Sequence, residues 1–382
     1  LIAETFPRPD ASALAVSQAL TAKIGTAIER AGGWLGFDAF MRLALYEPGL
    51  GYYSGGSTKL GAHGDFTTAP ELGDWLAAAL APFLAAQFET LGSARVLELG
   101  AGTGQLASDL LDQLSSRGFD AVEYSILEPS ADLRHRQQVR LAHRRPAVRW
   151  LDELPASEFC GIVLANEVAD ALPVVRFVRT SDAVLPLGVM RGGDGFELAS
   201  GPVDARLAAA VAAIEADRGQ ALPEGYRSEV CLELRPWVEA LLSPVATGGL
   251  LLIDYGMPQR EYYRADRSDG TLICHYRQRA HTDALLWPGL QDISAWVDFS
   301  AVAAAARAAG WTLTGFTSQA QFLIESIARD PGLRARQPTP REASALKTMI
   351  LPGEMGERFK LLWLTRGFDG PSLPGRDFRS WL

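Results

Sequence analysis

Arg95-Val96-Leu97-Glu98-Leu99-Gly100-Ala101-Gly102-Thr103-Gly104 is the stretch on which the fold turns. Arg95 to Leu99 reads as a short buried strand, apolar on both faces apart from one acid. A helix is predicted over Gln105 to Arg117. Glycines between a strand and a helix let the backbone turn tightly and approach a ligand closely. The dinucleotide fingerprint G-x-G-x-x-G would put its third glycine at 105, where this chain has Gln. The spacing is instead G-x-G-x-G, with Glu98 two residues ahead of the first glycine.

Working downstream, strands are predicted at Glu123 to Leu127, Val148 to Leu151 and Gly161 to Ala165, with a helix from Ser130 to Leu141. Strand alternating with helix implies a parallel sheet with right-handed crossovers. The rhythm changes at Pro173. Short β-like pieces (Val174 to Val178, Val184 to Met190) and an Ala-rich helix (Asp204 to Ala216) read as an insertion capping the sheet. The α/β pattern resumes with a helix at Pro236 to Leu242 and a strand at Leu250 to Ile253. A helix from Ser300 to Ala309, a strand from Thr312 to Phe316, further helices and a final strand from Phe359 to Leu364 close the chain. Upstream, helices are predicted within 13–45, a Gly/Tyr-rich loop follows Tyr46, and a helix runs from about Leu72 to Thr90. The expected organisation is an N-terminal helical region with its loop (1–90), a core half (91–172), the cap (173–227) and a second core half (228–382) with 257–298 irregular.

The 382 residues carry 36 basic and 45 acidic side chains, a net charge of −9. That disfavours nucleic acid as a partner, since phosphate contacts need a basic face. Three widely spaced cysteines, Cys160, Cys231 and Cys274, form neither a disulfide framework nor a zinc pattern. The five His lack metal-site spacing, so no metal is expected. No apolar run approaches the roughly 18 residues of a membrane span, and no leader pattern is seen at Leu1 to Asp10. A soluble, cytoplasmic protein is the expectation. The chain has a single Asn, Asn166. In a composition drifted away from Asn, the one that remains is expected to be hard to replace.

The G-x-G-x-G loop with its preceding acid resembles the first motif of the class I methyltransferases that use S-adenosylmethionine (SAM). There Glu98, Gly100, Ala101, Gly102 and Gly104 would surround the methionine part. Glu128 ends the second strand, where a carboxylate accepts hydrogen bonds from ribose hydroxyls; the same logic serves NAD. Asp152, after the third strand, is placed to meet an adenine amino group or to be a solvated loop acid. The fourth strand ends in Asn166-Glu167, with Asp170 three residues on, and carboxyl ends of parallel strands face the ligand crevice. A capping role for Asn166 at a helix starting with Glu167 is the alternative. Gly64-Asp65-Phe66-Thr67 reads as a lid over the cofactor or as a turn before the next helix. Asp254-Tyr255-Gly256, after the fifth strand, is expected to reach the crevice or to be a strand-ending turn.

Seven ordered motifs carry a wider resemblance. They are Tyr46-Glu47-Pro48…Gly51-Tyr52-Tyr53, Gly64 to Glu71, Glu98 to Gly104, Asn166-Glu167…Asp170 to Pro173, Asp254-Tyr255-Gly256, Gln291-Asp292-Ile293…Val297-Asp298-Phe299, and Met355 to Phe359. Together, over about residues 35–366, they resemble the MidA-type SAM-dependent methyltransferases. Mitochondrial members of that family are complex I assembly factors that methylate an arginine of a core subunit. The resemblance implies a Rossmann-like class I fold, mostly parallel with a final antiparallel strand. It also implies SAM as cofactor and an arginine-bearing protein substrate, a complex I subunit in the organellar relatives of the mitochondrial matrix. Asp65, Asn166 and Glu167 carry over as site residues, with Asp170 and Glu71 as further carboxylates for a guanidinium. A homodimer is left open. A small-molecule O- or N-methyltransferase and a non-catalytic, SAM-binding assembly chaperone are the competing expectations.

Overall fold

Seven strands form the central sheet: β1 (Arg95–Leu99), β2 (Glu123–Leu127), β3 (Arg149–Leu151), β4 (Phe159–Asn166), β5 (Val245–Met257), β6 (Thr312–Ser318) and β7 (Phe359–Arg366). Their order across the sheet is β6-β7-β5-β4-β1-β2-β3. β3, β2, β1, β4 and β5 are mutually parallel, and β7 runs antiparallel to both β5 and β6. The two-residue strand Val297–Asp298 adds in parallel at the end of β5. This computed structural model describes residues 6–55, 68–144, 146–193 and 195–382.

Side chains alternate strictly between the two faces, as a period of two requires. Val96, Ile162, Leu164, Leu251, Ile253, Leu361 and Trp363 pack on one face under the helices Trp75–Leu91, Gln105–Ser115 and Gln319–Arg329. Leu97, Leu99, Val163, Ala165, Leu250, Leu252, Leu362 and Leu364 pack on the other, under Leu234–Leu242 and Phe299–Ala308. Burial on both faces explains why these strands read as continuous apolar runs. The chain leaves β1 towards β2 and β3 on one side and β4 towards β5 on the other. The strand order therefore reverses between β1 and β4, which opens a crevice at their carboxyl ends.

The segment read from sequence as a cap contributes most of a second sheet. Val175–Arg179, Val184–Gly192 and Gly195–Ser200 come from the insertion, together with the helix Ala205–Arg218. Leu35–Gly36, from the N-terminal region, and Arg227–Val230, which starts at the segment's last residue, complete it. The N-terminal helices Ala11–Arg30 and Phe37–Tyr46 share an apolar core with the cap, through Leu20, Phe40, Val174 and Val189. Within 257–298, read from sequence as irregular, Ile273–Tyr276, Arg279–His281 and Asp292–Ser294 form a small antiparallel sheet. Strands of three or four residues are too short to show a period in sequence. The helix expected from about Leu72 is two pieces, Ala69–Leu72 and Trp75–Leu91, because Gly73 breaks it at φ 150°.

Candidate active site

Gly100, Gly102 and Gly104 take φ of 56°, 54° and 78°, left-handed conformations that glycine alone adopts without strain. The loop they form wraps one end of a cavity of about 380 Å3 at the reversal point of the sheet. That size suits a small organic ligand, for which pockets of about 300–1,000 Å3 are usual. The other walls are the end of β2 (Leu127 to Ser130), the end of β4 (Asn166 to Val168), the tyrosines Tyr46 and Tyr53, and Trp237 from the helix Leu234–Leu242.

Glu98 lies in the cavity wall, 2% exposed, and accepts a hydrogen bond from the Tyr124 hydroxyl at 2.9 Å. Burial pushes its carboxyl up to about 8, against the opposing pull of that hydroxyl. Glu128 accepts from the Ser130 N–H and from Gln137 Nε2, both at 2.9 Å. Burial also raises its pKa, and these two donors counter the rise. Gln137 is fully buried and ties the wall together: its Nε2 also donates to the Gly102 carbonyl, and its Oε1 accepts from the Trp150 indole. Glu71 is on the wall too, receiving the Thr103 hydroxyl.

Asp152 is placed elsewhere. Its side chain is 87% exposed, it pairs with Arg134, and it is off the cavity wall. Its place after β3 and its exposure leave both expected roles, solvated loop acid and adenine contact, to be separated by substitution. Gly64 and Asp65 lie outside the described residues.

The end of β4 is built differently. Glu167 has φ 55°, a left-handed conformation that is strained for a residue with a side chain. Its N–H donates to the Ile253 carbonyl, and its carboxylate accepts from Asn166 Nδ2 at 3.1 Å and from the Ala69 N–H. No helix starts at Glu167; a single 3-10 turn covers Ala169–Ala171. The cap of that turn is Asp254 and not Asn166. Asp254 Oδ2 accepts from the N–H groups of Val168, Ala169 and Asp170 at 3.2, 2.8 and 3.3 Å. Fully buried, Asp254 props the loop from beneath and is off the cavity wall, short of the crevice expected for it. Asn166 is freed from capping, and its buried Oδ1 has no hydrogen-bond partner among the described residues.

Asp170 stands directly behind the wall, 8% exposed. Asp292 is 2% exposed and accepts from the Tyr53 hydroxyl at 2.7 Å. Glu167, Asp170, Asp254 and Asp292 thus crowd together. Burial, and then Asp170, pushes Glu167 up to about 8. Burial, and then Glu167, does the same to Asp254. Burial, then Asp254 and Asp292, raises Asp170 well above the carboxylate range. Among the described residues no Lys or Arg is ion-paired with any of the four; His275 is 3.9 Å from Asp292. No group of three or more His, Cys, Asp or Glu among the described residues could hold a metal ion.

The tyrosines were not singled out as site residues from sequence. Tyr46 donates to the Ala171 carbonyl at 2.8 Å and stacks on Tyr53 at 5.7 Å between ring centroids. The Ser130 hydroxyl donates to the Tyr53 carbonyl at 2.7 Å. The Gly/Tyr loop therefore bridges the end of β2 to the carboxylate cluster. Its signals in sequence are the density of Gly and Tyr after residue 46 and the Tyr46-Glu47-Pro48…Gly51-Tyr52-Tyr53 motif. Nothing local marks Gln137 or Trp237, and Asp292 enters only within the Gln291-Asp292-Ile293 motif, with no site role attached.

A family model described as an S-adenosyl-L-methionine-dependent methyltransferase matches residues 76–317. A Danio rerio relative named protein arginine methyltransferase NDUFAF7, mitochondrial, is 28% identical over 84% of this chain and 81% of its own length. The Drosophila melanogaster homologue of the same name is also 28% identical, over 86% of this chain and 80% of its own length. The crystal structure of a Burkholderia thailandensis protein bound to S-adenosyl-homocysteine is 40% identical and superposes with a TM-score of 0.89. It covers 97% of this chain and 99% of that one.

Proposed function

We propose, on the premise that this chain belongs to the MidA-type family of SAM-dependent methyltransferases, that it methylates an arginine of a protein substrate. The enzyme class, the class I fold and SAM as cofactor follow from the family and from the relative that holds S-adenosyl-homocysteine. The cavity fits that cofactor. Three left-handed glycines give close backbone approach, two buried carboxylates keep acceptor lone pairs, and Asn166 Oδ1 is an unpaired buried acceptor. When bound, SAM supplies a methyl carbon activated by its sulfonium.

In our reading Glu98 and residues 100–104 hold the methionine part and Glu128 the ribose. Asp65 and Gly64 stay in this reading on their motif alone. Asn166 orients the accepting nitrogen through Oδ1. Residues 173–227 act as the cap on the acceptor side. The observation that carries arginine is the carboxylate cluster. Four buried acids with no Lys or Arg ion-paired to them among the described residues suit a guanidinium, whose planar fork of N–H donors matches carboxylates and which stays charged at any working pH. Glu167, at the wall with Asp170 behind it, holds that fork and takes its proton. Asp254 holds the loop that carries both. A complex I subunit is the acceptor the family resemblance suggests; the cytoplasm is the compartment expected from the sequence, while the curated relatives are named mitochondrial.

The test is transfer of labelled methyl from SAM into an extract of the source cell lacking this protein, followed by hydrolysis of the protein fraction to amino acids. Label in dimethylarginine is expected. No protein label, with SAM binding verified in the same sample, would turn the choice to a small-molecule acceptor or a chaperone role.

A further inference from the structure

Beside the cavity the cap carries a groove of about 350 Å3. Its apolar floor and rim are Trp34, Pro173, Pro186, Pro202 and Val203, and Val203 is 63% exposed. The Trp34 ring is fixed. Its indole N–H donates to the Ala199 carbonyl at 3.0 Å, and it lies flat on Gly188 and Gly201, where an added Cβ would come within 2.4 and 2.3 Å of the ring. Three acids, Asp38, Asp204 and Glu233, line the same groove against one base, Arg206. Asp204 spends one oxygen capping the helix Ala205–Arg218, through the N–H groups of Arg206 and Leu207.

The groove shares two chain segments with the active site. Pro173 is two residues beyond Ala171 on the cavity wall, about 7 Å of extended chain. Glu233 precedes Trp237 by one helical turn, about 6 Å. A rigid aromatic and proline floor beside a few acids is a surface for an extended, basic and apolar peptide.

We infer that this groove seats the stretch of the protein acceptor that adjoins its target arginine. The inference rests on the arginine reading above. The groove supplies binding to the polypeptide, while the carboxylates at the end of β4 handle the arginine itself.

Two variants test it, the double variant D38K/E233K and the single variant Val203→Lys, in the labelled-extract reaction with extract concentration varied. At low acceptor concentration the initial rate of protein labelling should fall about tenfold in each, as expected when rim charges and an apolar contact steer a basic partner. The gap should close as acceptor is raised, and S-adenosyl-homocysteine affinity by calorimetry should be unchanged. Should the double variant fold poorly, the exposed Val203→Lys decides. Labelling by both variants at the wild-type rate and acceptor dependence overturns the groove and leaves the arginine reading intact. A change in oligomeric state without a change in labelling overturns it too, and makes the groove a contact between copies. Absence of dimethylarginine label in the wild type removes both readings together.

Discussion

At the ends of β1 and β2, Glu98 and Glu128 each meet hydrogen-bond donors: Tyr124, Ser130 and Gln137. At the end of β4, Glu167, Asp170, Asp254 and Asp292 meet one another, and the chain takes a strained φ at Glu167. Both sides are buried and both raise carboxyl pKa values. Both have donors built into the fold, which on the second side are Asn166, the N–H groups of residues 168–170 and Tyr53; the second side also packs four acids together. The contrast separates two tasks. A cofactor of fixed shape is best met by preorganised donors and acceptors. On the arginine reading, the clustered acids at the end of β4 meet a cationic acceptor, whose charge favours their ionised form.

The sharpest way to break this contrast is Glu167→Gln. It should cut methyl transfer by about a thousandfold, as loss of a proton acceptor in the transition state does, while S-adenosyl-homocysteine binding stays within about threefold. Single-turnover rates and calorimetry on one preparation would check both halves. Wild-type turnover would end the role assigned to Glu167.

The opposite variant attacks the cofactor side. Gly100→Val puts a β-branched residue at φ 56°, with its Cβ 3.2 Å from a Val168 methyl. Calorimetry should find S-adenosyl-homocysteine affinity lowered by about a hundredfold or more.

The pH profile compares the two sides without mutation. In the proposed role Glu167 acts as its anion, and burial pushes its pKa in the free enzyme up to about 8. Then kcat/KM should rise about tenfold per pH unit up to that value and level off above it. Glu167→Gln should lose this limb. Stability runs the other way. A carboxyl raised on folding contributes stability that is complete below its unfolded value near 4.5 and is lost as pH rises through about 8. The ligand-free protein should therefore melt at lower temperature at pH 9 than at pH 6, and Glu167→Gln should narrow the difference.

Smaller effects sharpen the cofactor side. Glu128→Ala should weaken SAM binding about tenfold, the value of one or two charge-assisted hydrogen bonds, with kcat at saturating SAM within about threefold. Asp152→Ala should leave SAM affinity unchanged within about twofold, because an exposed ion pair with Arg134 contributes little. A larger loss would put Asp152 back at the adenine.

Much of this was legible in the sequence because it is local. The G-x-G-x-G turn, Glu98 and Glu128 sit at strand ends whose apolar runs announce them, and the last strand is visible in Phe359 to Leu364. Position after a strand predicts which edge of the sheet a residue sits at, not where its side chain turns: Asp152 follows β3, and its exposed side chain pairs with Arg134. Asp254 was expected at the crevice, yet three backbone N–H groups from 86 to 84 residues earlier draw its carboxylate beneath the loop.

By itself the sequence determined an α/β fold with a parallel sheet and the strand ends that would meet at the crevice, since these follow from periodicity and from glycine and acid spacing within short windows; the class I fold and SAM came with the resemblance of its ordered motifs. Only the tertiary structure decided which acids converge and what holds them. Tyr53 and Asp292 bond across 239 residues of chain, and Asp254 rather than Asn166 caps the loop after β4. Such pairings are fixed by packing between distant segments, where desolvation and crowding of like charges set the chemistry, and neither quantity has a local signature in a sequence.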